Sequence, residues 1–271
     1  MKLDALQDAL NRETQSGYRA KTISASTIGH ECDAYIAYNL RGFLRAPRQA
    51  RSQRILDLGQ TLETEVVRAL RAAGLEIDTH QNDGSQHMRT AYNGLVKVLC
   101  DGLTTIDGKP AILEIKSANK SRWTDLHEYG LELHSQTYWM QCQLMMWLFC
   151  IKQCLFVSYC KDDSAMHVEL VRYDEFDVAW AKHRIDGILE DRETHRCAAE
   201  PQDWRCKACD FRQYCWEDKA DLLNCRQCAN CAYEHNSQSL WCNRNNREAN
   251  AACDEFACWK PQQNNYRRQA T

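Results

Sequence analysis

Asp101, Glu114 and Lys116 are the residues of this 271-residue chain whose types and spacing carry chemistry. Between Leu95 and Ser117, apolar runs flank Asp107-Gly108, a dipeptide suited to a two-residue hairpin turn. With that turn Asp101 falls opposite Glu114, and opposed residues stand roughly 4.5–5.5 Å apart at Cβ. Lys116 shares the face of Glu114, whereas Ile115 points the other way into the core. Two facing carboxylates repel unless a cation lies between them, and their oxygens suit Mg2+ or Mn2+. Such a metal, with an ammonium beside it, fits phosphodiester hydrolysis: the metal polarises phosphate and water, and Lys116 offsets the growing charge. A solvated hairpin face carrying an ordinary Glu–Lys pair accounts for the same residues without chemistry.

The elements that position these residues can be read from periodicity. Leu3 to Arg12 fits a short amphipathic helix, and Ser24 or Ser26 suits a helix cap. Ile55, Leu58, Leu62, Val66, Val67 and Leu70 recur at helical spacing, which predicts a helix from Gln53 to Ala73, stopped by Gly74. Strands are expected at Leu75 to Gln81 and Gln86 to Tyr92, ahead of the hairpin. A helix from Leu133 to Ile151, strands Cys154 to Cys160 and Met166 to Tyr173, and a long helix from Glu175 to near Glu193 follow. The fold class is therefore α/β with a mixed sheet.

No apolar run is long enough to cross a bilayer, and Met1 to Leu10 is too polar for a secretory leader, so a soluble cytoplasmic protein without a membrane partner is expected. The net charge of −3 neither supports nor excludes DNA as a partner. Arg41, Arg45, Arg48, Arg51 and Arg54 form a basic stretch that is either ordinary solvated surface or a grip on DNA phosphates. Many of the sixteen cysteines fall late in the chain, several in C-x2-C spacing, which in a reducing compartment reads as metal binding. Cys206, Cys209 and Cys215 lack a fourth ligand for either zinc or an iron–sulfur cluster. Cys32 stands apart from the other cysteines and reads by itself as a small core residue. Beyond them, Cys225, Cys228, Cys242 and Cys253 have the proportions of a zinc site, with Cys231, Cys258 and His235 nearby.

Asp101 followed by Glu114-Ile115-Lys116 resembles the Asp…Glu-x-Lys motif of the PD-(D/E)XK nucleases. Gly59 to Glu63 is similar to the first motif of the RecB-like branch, which makes Glu63 a third metal ligand; the glutamate in place of the common histidine is shared with relatives of lambda exonuclease. Tyr138 to Trp147 resembles the YqaJ and lambda-exonuclease motif, in which Gln141 matches the active-site glutamine and Gln143 is its neighbour. AddB-type helicase–nucleases and the RecB-like nucleases of CRISPR adaptation place one cysteine before the nuclease core and C-x2-C-x5-C after it, around a 4Fe-4S cluster. Cys32, Cys206, Cys209 and Cys215 match that arrangement.

The resemblance spans about Ile23 to Trp216. It implies a restriction-endonuclease-like core flanked by helices, an iron–sulfur staple and a small Cys-rich C-terminal module. The segments would be 1–52 (helical, with the first cluster cysteine), 53–200 (nuclease core), 201–220 (cluster motif) and 221–271 (zinc module and tail). It further implies a deoxyribonuclease, an exonuclease on DNA ends in recombination, repair or CRISPR adaptation, with a single-strand annealing or recombination protein as a partner. The rival expectations are a catalytically silent DNA-binding recombination partner with a nuclease fold, and a thiol or iron–sulfur redox protein.

Overall fold

The computed structural model describes residues 2–12, 20–217, 225–249 and 257–262. The chain opens with helix α1 (Leu3–Asn11), strand β1 (Ile23–Ser24) and helices α2 (Ala25–Ile28) and α3 (Asp33–Leu40). Ser24 caps α2 through a reciprocal box with Thr27, in which the Ser24 N–H donates to Thr27 Oγ1 at 3.2 Å. The long helix α4 (Ala50–Ala72) precedes strands β2 (Ile77–Asp78), β3 (Met88–Ala91), β4 (Val96–Leu99), β5 (Gly102–Ile106) and β6 (Lys109–Ala118). Helices α5 (Lys120–His134) and α6 (Gln136–Phe149) lead to strands β7 (Gln153–Cys160) and β8 (Met166–Arg172), then helix α7 (Glu175–Leu189). Short helices α8 (Trp204–Lys207) and α9 (Arg212–Trp216) and strands β9 (Cys231–Glu234), β10 (Ser239–Cys242) and β11 (Arg247–Glu248) follow.

The class is mixed α/β. A five-stranded sheet runs β2-β5-β6-β7-β8, with β6 and β7 parallel and the other neighbours antiparallel. Asp107 and Gly108 both take positive φ, 52° and 72°, the turn whose twist matches its flanking strands. The β5–β6 register runs from Gly102↔Leu113 to Ile106↔Lys109, as the sequence indicates.

Alternation along β6 divides the core. Leu113 and Ile115 pack with Val66 and Val67 of α4, whereas Ile112 joins the larger core that contains Met140, Leu144 and Met145 of α6.

Several elements depart from expectation. β4 leaves the hairpin and joins a second sheet, β1-β4-β3, while the strand expected at Leu75 to Gln81 shrinks to two residues. Only the C-terminal half of α4 packs; Ile55, Leu56 and Leu58 stay 45–47% exposed. Helix α5 has no counterpart among the expected elements. It buries only Trp123, Leu126 and Leu131, too sparse a pattern to announce a helix, and Gly130 at φ 76° breaks it near its end. Glu169 caps the restart by accepting from the Leu131 N–H at 2.9 Å. Among the described residues, no helix is long and apolar enough to cross a membrane.

Candidate active site

The hairpin brings Asp101 and Glu114 to one end of the sheet, and α4 adds Glu63. Glu114 is 2% exposed. Its Oε1 accepts from Gln141 Nε2 of α6 at 2.6 Å and pairs with the Lys116 ammonium, which also lies 5.5 Å from the Tyr138 ring centroid. Asp101 sits one residue before β5, where its Oδ2 accepts from the Ile115 N–H at 2.7 Å.

These acids are short of positive charge. Burial, reinforced by Asp101 and Glu63, pushes Glu114 up to about 7 against the opposing pull of Lys116. Burial likewise raises Asp101, and burial together with Asp101 raises Glu63. Burial works to lower Lys116, but Glu114 and Asp101 outweigh it and hold the ammonium charged. The donor set is all oxygen, the chemistry a hard divalent cation takes. Gln141 Oε1 is buried without a partner, a free acceptor beside Glu114. As the side chains stand, no three His, Cys, Asp or Glu groups among the described residues are arranged to grip an ion. Asp101 and Glu114 each accept a hydrogen bond from a protein donor.

Two clefts meet at this point. One of about 1090 Å3 is lined by Lys116, Tyr138 and Gln141 and carries Arg48, Arg122 and Lys161 on its walls. The other, about 650 Å3, contains Asp101, Arg68, Arg71 and His80. They share Gln60, Glu63 and Ile115.

Gln143 does not reach the site: its amide donates to Arg172 O at 2.9 Å and accepts from the Asp174 N–H at 2.9 Å, joining α6 to the end of β8. The basic stretch needs correction. Arg41 is buried and donates to the carbonyls of Arg226, Cys228 and Cys231, while Arg45 binds Asn39 Oδ1 and pairs with Asp210 at 3.6 Å. Both meet protein acceptors that a sequence count of charges cannot foresee. Arg54 is exposed but donates to Leu10 O, and Arg51 is exposed; of the five, Arg48 lines a cleft. Arg122 and Lys161, which sequence reasoning missed, line the same cleft. Their signal was position, since each closely follows the C-terminal end of β6 or β7, the parallel pair that opens onto the cleft.

Cys32 at the N-terminus of α3 lies within electrostatic reach of Cys209 and Cys215, and Cys206 within reach of Cys215. Burial raises Cys209 to about 12 and Cys215 to about 11. Cys197 joins this group with its thiol hydrogen-bonded to Cys32, at a spacing that belongs to no motif. Cys225, Cys228 and Cys242 lie in the C-terminal module; Cys253 falls outside the described residues.

No model of a known protein family matches the chain, and no curated protein matches it. Among solved structures, an alkaline exonuclease from Laribacter hongkongensis is 22% identical over 65% of this chain and 89% of its own, at a TM-score of 0.45. The protein SSO0001 is 16% identical over 80% of this chain and 94% of its own, at 0.44. A phage-related exonuclease from Haemophilus somnus is 14% identical over 48% and 66%, at 0.38. At such scores these likenesses assign neither a family nor an activity.

Proposed function

We propose that the chain is a divalent-metal-dependent deoxyribonuclease that hydrolyses phosphodiester bonds, acting as an exonuclease at DNA ends in recombination, repair or CRISPR adaptation. The observation that carries this reading is the buried Glu114, paired with Lys116 and crowded by Asp101 and Glu63 where two basic-walled clefts meet. Glu63, Asp101 and Glu114 would hold Mg2+ or Mn2+. The cation supplies phosphate polarisation and a more acidic water.

The protein's own groups do the rest. Gln141 orients Glu114 through its amide N–H, and its free carbonyl oxygen accepts a hydrogen bond from a water. The Lys116 ammonium offsets charge that builds on the non-bridging oxygens as water adds to phosphorus. One P–O bond then breaks, leaving a phosphate monoester on one fragment and a hydroxyl on the other. Arg48, Arg122 and Lys161 hold neighbouring phosphates along the larger cleft.

Cys32, Cys206, Cys209 and Cys215 would hold a 4Fe-4S cluster, a reading supported by the electrostatic reach of Cys32 to Cys209 and Cys215. Bound there, the cluster supplies a cross-link between the two ends of the core and takes no part in hydrolysis.

End-labelled linear DNA and closed circular DNA, incubated with Mg2+, Mn2+ or EDTA, test this reading. Metal-dependent loss of the linear substrate is expected. Asp101→Ala should lower cleavage at least about a hundredfold while leaving DNA binding in place. Undiminished cleavage by that variant would remove the assignment.

A further inference from the structure

The C-terminal module, independent of the nuclease reading, pairs its thiols two by two. Cys231 and Cys242 are direct partners in the β9–β10 hairpin, and Cys228 and Cys258 are partners in an isolated antiparallel bridge. The flanking hydrogen bonds fix the kind of pairing. Asn243 N donates to Asn230 O at 2.9 Å, Ala229 N to Ala257 O at 2.7 Å and Trp259 N to Gln227 O at 2.8 Å. These bonds bracket the cysteine pairs instead of joining them, so both are narrow, non-hydrogen-bonded pairs whose side chains stand closest. Two residues separate Cys228 from Cys231, and the turn between them is closed by the Cys231 N–H donating to Cys228 O at 3.0 Å.

The surroundings are arranged for negative charge. Arg41 reaches from the end of α3 to the carbonyls of Cys228 and Cys231 at 3.2 and 3.3 Å, with Asp191 3.7 Å away. Arg226, whose Nε is buried without a partner, acts on Cys231 together with Arg41. Asp191 offsets the charge of Arg41, and Arg226, half-buried and donating to Lys21 O at 2.7 Å, adds a second guanidinium beside the thiols. Four thiolates around Zn2+ leave two negative charges in excess, which these guanidinium groups would offset. The Asn230 amide also donates to Cys228 Sγ at 3.7 Å, a contact suited to a thiolate acceptor. The module's small three-stranded sheet has no separate apolar cluster among the described residues; its Tyr233 and the nearby Trp259 join the main core.

We propose that Cys228, Cys231, Cys242 and Cys258 hold a structural Zn2+ ion as four thiolates, with Cys225 outside the set. Zn2+ would deprotonate the four thiols and draw them onto one point. The set differs from the one that spacing suggests: Cys225 comes within electrostatic reach of Cys231 but belongs to neither cross-strand pair, and Cys253 lies outside the described residues.

The test uses the full chain purified anaerobically, in reductant, without chelator. Elemental analysis should find one zinc per chain, lost from Cys231→Ser and from Cys258→Ser and kept by Cys225→Ser. Absence of zinc, its retention by either of the first two variants, or its loss from the third overturns the proposal. Mass spectrometry finding Cys228–Cys258 and Cys231–Cys242 disulfides in the untreated protein does the same. Should a variant fail to fold, the wild-type protein loaded with Co2+ decides: the visible and charge-transfer bands of a tetrahedral four-thiolate centre support the proposal, and those of a centre with nitrogen or oxygen ligands overturn it.

Discussion

Glu114 combines burial with two neighbouring carboxylates. Its carboxyl is raised from 4.5 to about 7, chiefly by burial, so the folded metal-free protein retains a proton that the unfolded chain releases. The stability this group contributes is therefore fully present below about pH 4.5 and is lost as pH rises through about 7. The difference should be on the order of a few kcal/mol. In EDTA, Tm should fall between about pH 5 and about pH 8 more steeply for the wild type than for Glu114→Gln, and Mg2+ should offset the fall at the alkaline end. Equal pH profiles for the two proteins would mean that Glu114 is not the group responsible. The position of this residue was legible in the sequence because a two-residue turn fixes every partner behind it. Its hydrogen bond from Gln141, by contrast, depends on how α6 crosses the sheet, and the residues alone gave that only through resemblance.

Among the elements, the approach of α2 to α6 decides where Gln141 sits. A Cβ on Gly29 would stand 2.6 Å from Thr137 Cα and 2.8 Å from Gln136 O, backbone that cannot swing aside. Thr137 Oγ1 donates to Gly29 O at 3.2 Å across the same contact. Gly29→Ala should therefore push the first turn of α6 outward and cost about 1–3 kcal/mol, measured by denaturant unfolding. It should also lower cleavage through displacement of Gln141, whereas a variant with wild-type stability would show that the contact yields. The sequence disclosed α6 by its apolar and aromatic density, but not this crossing, because a glycine before a histidine reads only as a helix end. It missed α5 for a related reason: the helix is half-solvated and broken by Gly130, so it lacks the stripe that periodicity detects. The N-terminal half of α4 misled in the opposite sense, since its apolar residues line the larger cleft instead of entering the core.

Over the whole molecule, α3 holds distant parts of the chain together. Arg184 of α7 binds Asp33 at 2.6 Å and Ile28 O, Cys32 faces His195 and Cys197, and Arg41 enters the C-terminal module. If the four gathered thiols hold iron, anaerobically purified protein should be brown, and Cys32→Ala should lose both iron and several degrees of Tm. Retention of full iron by that variant would exclude Cys32 as a ligand, and Cys197→Ser is the companion that tests whether its neighbour substitutes. Little of this convergence was visible in the residues, because each contact spans well over a hundred positions and no local pattern records it. The grip on α3 also bears on how the protein is made. A nascent chain emerging from the ribosome presents α3 early, yet its partners at Arg184, His195 and Cys231 emerge far later. Docking of α3 therefore cannot be complete until Arg184, His195 and Cys231 have all emerged, although β1 and α2 meet β4 and α6 well before then.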